Sequence, residues 1–353
     1  MNSSSESVSA EQPTAPEQAQ LPGHYTVKLG RFGVLTLIGT LSWAVPAANF
    51  GTLSQALFED MDPANKIAMA AITATVSSVG GVLAVVVAGL LSDRTRSKWG
   101  KRKPWMLIGS VFSALCMLPI GFTTNFTVIV LLFTGAQLGM NALVASLSAL
   151  LPDRVDKSLL GRASALSGLG NLLGGAIGGV IAAGFIPVPS VGLAVVPWTM
   201  VLASLAIWFF LPTIPSMDNK VEPLRAKTLL RQLAPPADRD FWLVFSSRVM
   251  FLLGLLTTFA YQLYILTDYY QASESVAQSN IALAGIILAL GAGIFTVIMG
   301  PLSDRVKRRK PFVIGSGLVG ALGVALLLTV KDVTVFPISI AALSIAYGTF
   351  ISV

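Results

Sequence analysis

Ten times between residues 33 and 353 the sequence runs for roughly twenty residues with almost no charge, and that recurrence limits the fold more than any other feature. A bilayer core about 30 Å thick is crossed by about 20 helical residues. A backbone in hydrocarbon must also satisfy its own N–H and C=O groups, so runs of this length read as transmembrane helices. They lie near 33–58, 66–91, 105–124, 127–151, 163–187, 192–213, 241–267, 280–302, 312–330 and 335–353. Charged residues make up 12% of the chain, about half the share usual in a soluble domain, so water is not its main solvent. The fold class expected is an all-α membrane protein.

The first 25 residues are rich in Ser, Gln, Glu and Pro and read as a disordered cytoplasmic tail, with neither the basic start nor the apolar core of a signal peptide. The single cysteine, Cys116, lies in an apolar run and reads as a buried structural thiol. With the N-terminus taken as cytoplasmic, 21 of the 24 Lys and Arg residues fall on that side; only Lys66, Lys331 and the intrahelical Arg248 do not. The opposite loops carry Glu59, Asp60, Asp62, Asp268, Glu274 and Asp332. This asymmetry orients the chain in a cell membrane with a cytoplasmic N-terminus. It also assigns the net charge of +7 to topology and anionic lipid instead of nucleic acid.

The segment GLLSDRTRSKWGKRKPWMLIGS at 89–110 recurs as GPLSDRVKRRKPFVIGS at 300–316, each time where one apolar run ends and another begins. Asp93 and Asp304 are 211 positions apart and Ser110 and Ser316 are 206 apart, so the first copy carries five extra residues in its turn. Both copies face the same side, which implies a parallel repeat of six-helix units. The expected organisation is an N-terminal six-helix bundle at 26–213, a cytoplasmic linker at 214–240 containing Pro215, Pro223, Pro235 and Pro236, and an incomplete C-terminal bundle of about four helices at 241–353.

On these residues the chain resembles the major facilitator superfamily, and its long hairpin is most similar to the glycoside and sucrose-type cation symporters. The resemblance implies a fold of two pseudo-symmetric six-helix bundles, of which about ten helices are present here, with the eleventh and twelfth unaccounted for, so that the chain reads as either a fragment or a natural ten-helix product. It assigns a gating role to Gly89, Asp93, Arg94, Gly100 and Arg102, and to the second copy at Gly300, Asp304, Arg305 and Arg308, where Lys307 replaces a glycine of the pattern. A carboxylate at a helix end that pairs with a guanidinium in one packing and not in another biases a two-state equilibrium. Lys98, Lys101 and Lys103 read as charges that only orient the loop. In the loop LPDRVDKSLLGRASAL at 151–166, Asp153, Arg154 and Arg162 form a second expected charge cluster, for which simple anchoring on the positive side is the competing reading. The stretch GLGNLLGGAIGGVIAAG places Gly170, Gly174 and Gly178 on one helix face, a pattern for close helix packing.

Polar groups within the spans are the candidates for contact with a solute. Asn49 lies between Pro46 and Gly51, a context expected to make the first helix irregular. Gln137 and Asn141 share a face, and the seventh run offers Arg248, Tyr261, Gln262 and Tyr264. Amides with aromatic rings suit a neutral polyol, which directs substrate binding to Asn49, Asn141, Gln262 and Tyr261. No acid lies in the middle of a run, so the coupling proton implied by the resemblance has no visible carboxylate, and Glu59 and Asp268 near the outer end read as ordinary loop acids.

The function expected is secondary transport of a small polar solute, a sugar or glycoside, by alternating access. An organic anion or drug transporter of the same fold, or a non-transporting sensor, stays open as the alternative. The only histidine, His24, is in the tail, and no nucleophile–base or metal-ligand spacing occurs in the runs, so neither an enzyme nor a metal site is expected. No cofactor is expected, and the partners are the solute and membrane lipid, with the protein a monomer.

Overall fold

The computed structural model describes residues 29–155, 159–217 and 238–352; the expected tail at 1–25 and most of the linker, 218–237, fall outside the described residues. The described chain is helical, with no strand. Its helices are α1 (Leu29–Met61), α2 (Lys66–Arg94), α3 (Lys103–Met117), α4 (Phe126–Arg154), α5 (Leu160–Phe185), α6 (Pro189–Val195), α7 (Trp198–Phe210), α8 (Arg239–Ala260), α9 (Glu274–Val306), α10 (Lys310–Thr329) and α11 (Val335–Ser352). A 3₁₀ turn, Leu118–Phe122, follows α3. One α-turn, Gln262–Tyr264, and one π-turn, Ile265–Tyr269, continue α8.

Ten helical segments are long and apolar enough to cross a bilayer, with α6 and α7 together forming the sixth. The apolar residues left exposed, such as Val79, Val82, Leu83 and Val87 on α2, form the surface a lipid solvent would cover. Several helices outrun their apolar runs: α9 begins six residues before 280 and includes Pro301. A helix bonds its own backbone whether its end is in lipid or water, so the apolar run marks the minimum length of a helix and not its ends.

One expectation fails at α1. Around Pro46 the helix stays continuous from Leu29 to Met61. Proline cannot donate to the carbonyl four residues earlier, here Ser42, and the Thr199 hydroxyl on α7, which donates to Val196 O at 2.8 Å, also lies 3.3 Å from that carbonyl.

Small residues set the closest helix approaches. The three glycines of α5 at 170, 174 and 178 pack against α1: a Cβ at Gly174 would sit 2.6 Å from Ala44 Cβ and 2.9 Å from Leu41 O, and one at Gly178 would sit 2.7 Å from Val45 O. Gly109 on α3 and Gly139 on α4 meet backbone to backbone. On another face of α5, Gly179 meets Gly285 of α9, with a Cβ at either lying 3.4 to 3.5 Å from the other's Cα. The last contact joins the first six spans to the last four.

Candidate gating network

At the end of the molecule that carries the hairpins, α2, α3 and α4 terminate together, and their charged ends meet. Arg102, the residue before α3, is buried at 7% exposure. Its guanidinium pairs with Asp93 on α2 through one terminal nitrogen, and its Nε lies 3.0 Å from Asp153 Oδ2 on α4. The other terminal nitrogen donates to Ser92 Oγ at 3.1 Å, and that hydroxyl donates to Lys101 O at 3.1 Å. Lys101 adds a second ion pair to Asp153 at 3.0 Å. The planar fork of arginine is what allows one buried cation to serve two carboxylates and a hydroxyl at once.

The hairpin motif and the loop cluster, distant in sequence, are therefore parts of one network. Not every expected member joins it. Arg94 is half-buried and Arg162 exposed, and neither takes part in the ion pairs among the described residues. Arg154 donates to Pro212 O at 3.1 Å, beyond the end of α7. Gly89 is in open space, and Gly300 lies within 4 Å of Ser352 on α11.

Two lysines read as loop charges have specific partners. Lys101 belongs to the network above. Lys103, only 4% exposed, donates through Nζ to Trp208 O at 3.0 Å, Leu211 O at 2.6 Å and Thr213 Oγ1 at 2.8 Å. The last carbonyls of a helix have no intrahelical donors and attract a cation, so Lys103 caps α7. The chain after α7 is bound to the same hairpin. Ser216 N donates to Ser97 O at 3.1 Å, the Ser216 hydroxyl donates to Thr95 O at 2.9 Å, and a Cβ on Gly100 would lie 2.8 Å from Ile214 O. Gly100 has φ +83°, so both the turn and the close approach require glycine there.

In the second hairpin Arg305, Lys307, Arg308, Arg309 and Lys310 are exposed. Lys307 caps α9 in the left-handed region at φ 53°, which explains how a lysine can stand where the repeat pattern has glycine: the turn is kept, with strain on a residue that carries a Cβ. Asp304 lies in the last turn of α9, and its side chain falls outside the described residues.

The candidate solute residues divide between two places. Asn49 is fully buried against α5, with Nδ2 donating to Val45 O at 2.8 Å and Gly178 O at 3.1 Å, while its Oδ1 has no hydrogen-bond partner. Asn141, half-buried on α4, donates to Gln137 O at 2.9 Å and lies against Gly81 of α2. Gln262 and Tyr261 are at the opposite end, where α8 breaks. Gln262 Nε2 donates to Thr52 Oγ1 at 3.0 Å, Leu263 N donates to Gln55 Oε1 at 3.0 Å, and the Tyr264 hydroxyl donates to Gln55 O at 2.9 Å. Tyr261 stacks loosely on Tyr264, with ring centroids 6.4 Å apart.

The profile of the Major Facilitator Superfamily matches residues 30–353. The chain belongs to that superfamily. Its members are transporters, and the fold agrees: a bacterial homologue of the human lysosomal transporter Spinster, solved in an inward-facing and unoccupied conformation, superposes with a TM-score of 0.66 at 14% identity, covering 92% of this chain and 74% of that one. An uncharacterized symporter from Synechocystis is 47% identical over 49 residues, and a sucrose transport protein from Oryza sativa is 40% identical over 47. Each of these two matches spans 13% of this chain and only 9% of the relative's length. The superfamily architecture and the ten spans make the chain a multi-pass membrane protein.

Glu59, Asp268 and Lys66 escaped the sequence reading as a group. Lys66 Nζ lies 3.0 Å from Glu59 Oε1 and 2.7 Å from Asp268 Oδ1, and 4.9 Å from the centroid of the Tyr264 ring. The signal was present: within a strongly basic chain, Lys66 is one of two cations among the acids at that end.

Proposed function

We propose that the chain moves a sugar or glycoside across the cell membrane by alternating access between two helical bundles, α1–α7 and α8–α11, with the hairpin end cytoplasmic. One observation carries this reading. Among the described residues, every hydrogen bond and ion pair between the first six spans and the last four lies toward the end opposite the hairpins: Lys66 with Asp268, Gln262 with Thr52, and Gln55 with Leu263 and Tyr264. Polar contacts gathered at one end of a seam can be broken and remade as the bundles rock, which is how a central site is exposed to one side at a time.

In this reading the Asp93–Arg102–Asp153 network, with Gly89, Arg94, Gly100 and the second-copy residues Asp304, Arg305 and Arg308, gates the cytoplasmic side. Asn49, Asn141, Gln262 and Tyr261 contact the solute. The unpartnered, buried Oδ1 of Asn49 supports its assignment, because an acceptor without a donor is costly and a sugar hydroxyl supplies one. The short likeness to a sucrose transport protein supports the solute class, and the likeness to a symporter supports transport coupled to a second solute or ion. Arg248, exposed on α8 inside an apolar span, favours a second reading in which the solute is an organic anion.

Counterflow into proteoliposomes separates the readings. Saturable exchange of a labelled mono- or disaccharide is expected, and its absence alongside exchange of an organic anion would replace the first reading with the second. Internal alkalinisation should accompany net efflux of sugar if a proton travels with it.

A further inference from the structure

The cation at Lys66 is placed against ordinary electrostatics. It is the first residue of α2, where the helix dipole repels positive charge, and its side chain is 9% exposed. No acidic residue occupies the first turn of α2, and Asn65 before it makes no side-chain cap bond. What holds the ammonium are two carboxylates of unlike origin. Glu59 ends α1, seven residues earlier in the same group of helices, whereas Asp268 comes from the π-turn after α8, across the seam. The face of Tyr264, also from across the seam, lies 4.9 Å from the ammonium.

We infer that Lys66 is an ionic latch for this end of the transporter. Asp268 is the catch that holds the two groups of helices together, and Glu59 is the resident counter-ion that takes over the ammonium when they part. The asymmetry follows from connectivity. If the seam opens, Asp268 and Tyr264 leave with α8, but Glu59 travels with Lys66 because only the short loop 62–65 separates their helices. The cation is then never stranded, and opening exchanges one charged contact for water instead of two. Asp60 and Glu274 flank the group and feel each other's charge, so a neutral residue at 66 would leave the carboxylates of this end facing one another without a cation between them. The inference rests on the alternating-access reading above, but it concerns only opening, which is measurable whether or not any solute moves.

The test uses full-length protein with Cys116→Ala and spin labels on the exposed positions Ala64→Cys and Ser275→Cys, one on each side of the seam. Distance distributions between the labels report the separated fraction. Asp268→Asn should raise that fraction roughly tenfold, the scale of an ordinary coupling between two states. Glu59→Gln should change it by less than about twofold, because the inter-group bond is kept. Lys66→Met should raise it most, since Glu59 and Asp268 are then uncompensated. Equal shifts for Glu59→Gln and Asp268→Asn, or no shift in either, would overturn the latch. If Lys66→Met does not reach the membrane, the comparison of the two isosteric amides still decides. A chain that opens as expected but exchanges no sugar leaves the latch intact and removes only the solute assignment.

Discussion

Arg102 stands between two acids from different helices, with its Nε 3.0 Å from Asp153 Oδ2 and a terminal nitrogen on Asp93. The contact is partly buried on the Asp153 side, where the acid is 26% exposed, and open on the Asp93 side, where it is 57% exposed. Burial makes the Asp153 pair the stronger structural tie, and exposure leaves Asp93 freer to change partners. Truncation of Arg102 leaves Asp153 with Lys101 as its remaining ion-pair partner among the described residues. Arg102→Ala should lower unfolding stability in detergent by about 1 to 2 kcal/mol, whereas Arg162→Ala, on an exposed side chain, should stay within about 0.5 kcal/mol.

The seam between α1 and α5 makes a steric prediction. Gly174→Leu drives a side chain into Ala44 and the Leu41 carbonyl, and backbone cannot yield as a flexible side chain can. A loss of about 2 to 3 kcal/mol is expected from overpacking. Gly175→Ala, one residue on, meets open space and should be neutral or slightly stabilising. Thermal unfolding of the two purified variants makes the comparison.

Lys307 offers the opposite case, a residue that its own backbone disfavours. At φ 53° a Cβ is crowded, and Lys307→Gly should raise stability by about 1 kcal/mol while removing one exposed charge. Lys307→Ala removes the charge but keeps the Cβ, so it should not show the gain. If the two variants behave alike, the left-handed cap is not the cause.

Acid should act on the turn before α11. Asp332 accepts from Thr334 N at 2.9 Å and from its hydroxyl at 2.8 Å, and these bonds hold its carboxyl below the usual range. A depressed carboxylate stabilises the fold fully above its unfolded value, and that contribution disappears as pH falls through the folded value. The Thr334 amide resonance should therefore shift on acidification below about pH 4, and Asp332→Asn should abolish the transition.

The spans were legible because burial in hydrocarbon demands about twenty apolar residues in a row, and nothing else in a chain of this composition does. Close packing by α5 was legible for a similar reason, since glycines at 170, 174 and 178 have little use except proximity, but that α1 is the partner was not. Pairing between distant charges was not. Hydropathy places Asp153 at the same end as Arg94, Arg96, Lys98, Lys101, Arg102 and Lys103, but only the packing of α2, α3 and α4 selects Lys101 and Arg102 from among them. Lys66 and Asp268 are 202 residues apart, and each looks like an ordinary loop charge until the break after α8 brings them together. The continuity of α1 through Pro46 was not legible either, since the residue itself points to a break.

The stitching of Ser216 to Ser97 shortens what connects the two groups of helices. The described chain stops at Met217 and resumes at Asp238, just before α8 starts at Arg239. Those intervening residues, fully extended, would still reach on the order of 70 Å, far more than a rocking motion needs. A segment of that contour length does not by itself fix the spacing of the two groups. What couples them is their touching surfaces, at the Gly179–Gly285 crossing and at the end of the seam opposite the hairpins, so cutting the chain between residues 217 and 238 should sever the covalent link without uncoupling the motion.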